Sequence, residues 1–114
     1  MEANDRRKSP RVPVAVSGVV GSGSSRPCRV ANLSTTGALV VVSEPLKEMV
    51  VVRVDFELCN EENAKDISVE AAVVRCDQRP DGQFDVGLYF TKIAPSARAA
   101  IARLVDASIV PTSH

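Results

Sequence analysis

Val50, Val52, Val54, Phe56 and Leu58 fall on one side of an extended chain, with Arg53, Asp55 and Glu57 on the other. Period two with one wet side predicts a strand of an antiparallel sheet. Phe84, Val86, Leu88 and Phe90 alternate with Asp85, Gly87 and Tyr89 in the same way, and Ile67, Val69, Ala71 and Val73 oppose Ser68, Glu70 and Ala72. Less regular strands are predicted over 12–20, 27–33 and 38–43. Gly21–Ser25 supplies a flexible hairpin loop, the polar and acidic stretch Cys59–Lys65 a surface loop, and Arg79–Gly82 a tight turn whose glycine takes φ > 0. Six short strands with no helix between them predict an all-β fold, a small antiparallel barrel or sandwich. After them, Pro95 suits a first helical turn. Ile93, Ala97, Ile101, Leu104 and Val105 then make one apolar stripe at helical spacing, with Arg98 and Arg103 off it. Such a helix is expected to plug the barrel or lie along it.

Composition strengthens this reading. Valine is the commonest residue, 19 of 114, and β-branched enrichment favours strands. At 45% hydrophobic and 25% charged, the chain has the balance of one globular domain. No apolar run approaches the ~18 residues that span a bilayer, and the charged start has no apolar stretch of a secretory signal behind it. Cys28, Cys59 and Cys76 are odd in number and lack CxxC spacing. That argues against a disulfide framework or a metal site and for a reducing, cytoplasmic setting. The expected organisation is a flexible arginine loop over 1–11, a folded domain over 12–106 and a frayed tail over 107–114.

The zero net charge hides an asymmetry. Between Arg6 and Ser43 stand six basic residues (Arg6, Arg7, Lys8, Arg11, Arg26, Arg29) and no acid, so a +6 segment precedes a −6 remainder. An anion-binding face is one consequence of such an imbalance. Catalysis is not expected. The only histidine is His114, the final residue, where nothing positions it as a base or ligand. The cysteines lie in or beside valine-rich strands without a histidine to activate them, and Gly21 and Gly23 lack the lysine and helix of a phosphate-binding loop.

Two short patterns remain. Arg7-Lys8-Ser9-Pro10-Arg11 is an RxxxR just ahead of the first strand, with Arg6 before it, and Asn32-Leu33-Ser34-Thr35-Thr36-Gly37 is an NxSxxG closing one strand and opening the next. Each alone is a common arrangement of tail and turn residues. Together, on this strand order, they resemble the PilZ domain, a family of bacterial receptors for cyclic di-GMP. The resemblance runs from Arg6 to about Val105 and includes Ala38-Leu39-Val40 after the second motif and Val86-Gly87-Leu88-Tyr89-Phe90 before the helix.

The resemblance implies a six-stranded antiparallel barrel with a C-terminal helix, and a ligand on the outer barrel surface wrapped by the arginine loop. Arg6, Arg7, Arg11, Asn32, Ser34 and Gly37 are the implied ligand-binding residues, with cyclic di-GMP as ligand and no cofactor or metal. The chemistry of these side chains suits it. Guanidinium forks onto phosphate or onto guanine O6 and N7, and stacks on purines. Asn32 and Ser34 match base edges, and Gly37 permits φ > 0 or a close backbone approach. Arg6 is a cation beyond what two phosphates need, which suggests two stacked ligand molecules per chain. The expected behaviour is ordering of residues 1–11 on binding and relay to an unidentified downstream protein, in motility, pili, exopolysaccharide or virulence functions, with no nucleic-acid polymer and no membrane insertion. A ligand-independent interaction module of the same fold is the alternative. A barrel binding single-stranded nucleic acid would stack bases on outward aromatics, and here Tyr89 alone is available because the three phenylalanines belong to inward-facing sets.

Overall fold

The computed structural model describes residues 11–21, 25–59 and 64–109. Six strands, β1 (Val12–Gly21), β2 (Arg26–Leu33), β3 (Gly37–Val42), β4 (Val51–Cys59), β5 (Ala64–Gln78) and β6 (Phe84–Ile93), precede a helix α1 (Pro95–Ile109). Every strand pair is antiparallel, and the sheet closes on itself in the order β1-β2-β3-β6-β5-β4. Closure removes the exposed edges an open sheet would carry. Of the two predicted architectures, the chain adopts the barrel.

The inward set is the predicted one. Val52, Val54, Phe56, Ile67, Val69, Ala71, Val73, Val86, Leu88 and Phe90 are buried in one apolar cluster with Val20, Val30, Leu33 and Val40. Valine fills a narrow barrel well, because a β-branched side chain packs on a pleated surface without reaching across it. Gly82 has φ 89° and donates its N–H to the Arg79 carbonyl at 3.0 Å, the predicted tight turn.

Three strands outrun the expectation. β6 runs past Phe90 to Ile93, which pairs with Val69, so Ile93 ends a strand instead of opening the helical stripe. Cys59 pairs with Ala64 and Leu58 with Lys65, so the ends of the predicted 59–65 loop belong to the β4–β5 ladder. Their polarity reflects a ladder that continues past the core. β5 also runs on to Gln78, through a bulge between Val73 and Arg75 that interrupts the alternation. Residues 22–24 of the predicted hairpin loop and 110–114 of the predicted tail lie outside the described residues, and α1 continues to Ile109, beyond the expected boundary at 106.

The helix sits at one mouth of the barrel. Its Ala97, Ile101 and Val105 are buried within the barrel cluster, and it packs against both β5 and β1, which are not neighbours in the sheet. On this side β1 pairs with β4 only from Gly18 onward. Leu104 lines the resulting opening together with Val14, Val16, Glu57 and Leu58. α1 therefore plugs the barrel. No helix among the described residues is long and apolar enough to cross a membrane.

Candidate functional site

The β2–β3 connection lies at the same mouth as α1. Val30 and Leu33 both point inward, three residues apart, which strict alternation forbids. A bulge resolves the conflict: Val30 pairs with Val40 but Asn32 with Leu39, so one extra residue of β2 is accommodated and Asn32 turns to the outer face. Its Oδ1 is shielded from solvent and has no hydrogen-bond partner among the described residues. A buried, unsatisfied acceptor costs about 1–3 kcal/mol, a cost that a donor brought against it would relieve.

Ser34 closes the turn that follows. It is 1% exposed. Its Oγ accepts from the N–H of Thr36 at 3.2 Å and of Gly37 at 3.1 Å and donates to the Gly37 carbonyl at 3.3 Å, while its own N–H donates to that carbonyl at 2.9 Å. The hydroxyl thus faces the turn it braces, beneath the outer surface. Gly37 uses the second of its two expected freedoms. Its φ is not in the left-handed region, but a Cβ there would stand 2.2 Å from the Leu88 carbonyl oxygen on β6. The main chains of β3 and β6 meet at a distance only glycine allows, and the Phe90 N–H donates to the Thr36 carbonyl at 2.8 Å alongside.

Register extends this face around the barrel. Pro13 pairs with Asn32, Asn32 with Leu39, Leu39 with Gly87, and Gly87 with Arg75, a row of outward positions across five strands. Arg11 is exposed two residues before Pro13, so it continues the outward side of β1 beside Asn32. The acid-free part of the sequence has become three adjacent strands, β1, β2 and β3. Among the described residues Arg11 and Arg29 have no acidic partner; Arg26 meets Glu44 at 2.6 Å.

The opposite side has the opposite sign. A hollow of about 550 Å³ over β1, β4 and β5 is lined by Asp55, Glu57 and Asp66 without a cation, a poor place for phosphate. Arg79 bonds Asp85 at 3.0 Å and Asp81 at 3.3 Å, contacts that raise its pKa, the Asp85 bond foremost. Asp81 is held below the usual carboxylate range, first by the Gln83 N–H. This ion pair pins the β5–β6 turn.

The structure thus brings Asn32, Ser34, Gly37 and Arg11 to one corner. Arg6 and Arg7 lie outside the described residues. Two features of the corner escaped the sequence. Arg98 of α1 reaches the Thr35 carbonyl with Nη1 at 3.4 Å, joining helix to turn, and Leu39 provides a partly buried apolar floor beside Asn32. The break in alternation between Val30 and Leu33 was a legible signal for the bulge; nothing local announced the Arg98 contact, 63 residues apart.

The PilZ domain family model matches residues 5–107. The chain belongs to the PilZ domain family. This PilZ domain is similar in structure to the Bacillus subtilis inhibitor of motility (MotI/DgrA), with a TM-score of 0.85 at 20% identity over 96% of the chain, of which it spans about half the length, 54%. It is also similar to the PilZ domain of YcgR from Escherichia coli, solved with c-di-GMP, at TM-score 0.70 and 13% identity, covering 90% of each chain. PlzA of Borreliella burgdorferi, solved in complex with c-di-GMP, aligns at TM-score 0.62 and 17% identity over 90% of this chain and 42% of its own. No curated protein matches the chain in sequence.

Proposed function

We propose that this PilZ domain is a non-catalytic receptor that binds cyclic di-GMP on the outer face around Asn32. One observation carries the reading: a shielded, unpartnered Asn32 Oδ1, turned outward by a bulge, on the acid-free third of the barrel beside Arg11. A guanine presents N–H donors on its edge and the phosphates present anions, the two complements this corner lacks. The solved complexes of YcgR and PlzA with c-di-GMP support the choice of ligand.

In this reading Asn32 meets a base edge, and Ser34 and Gly37 hold the turn that presents it. Arg6, Arg7 and Arg11 supply phosphate and base contacts as the segment 1–11 orders over the ligand. The Arg98–Thr35 bond offers a path from turn to helix, and the altered surface is read by a downstream protein. Isothermal titration with cyclic di-GMP, with GTP and cyclic GMP as controls, tests the reading. Saturable binding of cyclic di-GMP alone is expected. No binding would leave a ligand-independent interaction module as the function.

A further inference from the structure

Among the described residues the outer surface carries one exposed aromatic ring, and it stands at the edge of the Asn32 corner. Tyr89 is 56% exposed. It is the only tyrosine of a chain without tryptophan, while Phe56 and Phe90 are buried and Phe84 packs against the core. Tyr89 pairs with Gly37 on β3 and with Ala72 on β5, and on its own strand the preceding outward position is Gly87. On these three sides it meets two glycines and an alanine. No bulky side chain is attached at those three positions, and one of those glycines closes the Asn32 motif.

We propose that Tyr89 is a stacking platform for one guanine of the ligand, whose other parts are held at the Asn32 and Arg11 corner; this rests on the cyclic di-GMP reading above. The distance fits a two-base ligand. Asn32 and Gly87 are two strand spacings apart and Tyr89 is one outward step further along β6, ~10 Å across and ~7 Å along. A purine face stacks on an aromatic ring irrespective of its edge contacts, and neither Gly37 nor Ala72 carries a bulky side chain to block the exposed ring. On the β5 side the stem of Arg75 bounds the space, its Cγ 3.1 Å from where a Gly87 Cβ would stand. A single exposed ring on the same outer face as an unsatisfied acceptor fits a planar base.

Because Tyr89 is the sole tyrosine and tryptophan is absent, intrinsic emission of the full chain reports this ring alone. Cyclic di-GMP should quench it saturably, with the same midpoint as calorimetry and beyond the loss seen for free tyrosine amide at equal ligand concentration. Tyr89→Phe should bind like the wild type, whereas Tyr89→Leu and Tyr89→Ala should bind roughly tenfold more weakly, the range of a lost base–aromatic stack. Leucine still covers Gly37, so a purely structural ring would be rescued by it. Should the alanine variant fail to fold, the quench and the leucine variant decide. Calorimetric binding without quenching, or undiminished binding by Tyr89→Leu, would overturn the platform and leave the cyclic di-GMP reading standing. Absence of any calorimetric binding by the wild type would overturn both.

Discussion

Arg11 lies two residues ahead of Pro13, the ladder partner of Asn32, and in the proposed complex salt separates the roles of the two residues. Arg11→Ala removes a charge-assisted contact worth about 1.5–3 kcal/mol and should weaken cyclic di-GMP binding by tenfold or more. The loss should shrink as salt rises, since screening acts on charge. Asn32→Ala removes a neutral edge contact, so its penalty should change less with salt; titrations at low and high ionic strength check both. Equal slopes would mean that Asn32 is not the edge reader. Gly37→Ala should act on the fold instead. Its new Cβ would press on the Leu88 carbonyl, and relief by shifting the β3–β6 pairing should lower stability by about 1–3 kcal/mol, as overpacking does, measurable by urea unfolding.

The helix is more than a lid. Ile101 is fully buried in the barrel cluster, and with Ala97 and Val105 it closes the mouth where β1 and β4 part. Ile101→Ala should cost about 2–5 kcal/mol by urea unfolding, the range for a buried isoleucine truncated in a core that relaxes only partly. An unchanged unfolding midpoint would show that the helix rests on the barrel without sealing it. β2 makes the complementary point. Its bulge costs one ladder pairing and in return shifts the alternation, so that Asn32 faces outward and Leu33 enters the core.

Across the whole domain, pH probes the core through Cys28. Burial pushes this thiol from 9.0 up to about 11. The folded state therefore stays neutral where the unfolded chain has begun to ionise. The sign follows: the stabilising difference is intact below pH 9 and is lost as pH rises towards 11. Unfolding curves from pH 8 to 11 should fall more steeply for the wild type than for Cys28→Ala; parallel curves would count against a buried neutral thiol. Ligand stoichiometry is also a property of the assembled surface. Arg6, Arg7 and Arg11 are one cation more than two phosphates need, so calorimetry should give two cyclic di-GMP molecules per chain, falling to one in Arg6→Ala. One in the wild type would remove the role proposed for Arg6.

Much of this was legible before any coordinates. The alternation in 50–58, 67–73 and 84–90 places each side chain inside or outside, because period two leaves a strand few ways to bury its apolar face. The helical stripe from Ala97 to Val105 and the Gly82 turn follow from equally local rules. Asn32, Ser34 and Gly37 stood out as turn chemistry joined to a motif. Their different duties did not, because duty depends on partners distant in sequence. Ser34 is spent on bracing the turn and Gly37 on a close approach to Leu88, 51 positions away. The strand pattern alone left closure into a barrel open, and the family resemblance was what implied it. A sandwich would bury the same residues, and what excludes it is the β1–β4 pairing between Gly18–Gly21 and Arg53–Phe56. That pairing, like the neighbourhood of Tyr89 and Gly37, is a long-range hydrogen-bond register. A local pattern dictates which face a residue takes, whereas the identity of the strand beside it emerges only when the whole sheet has satisfied its backbone groups.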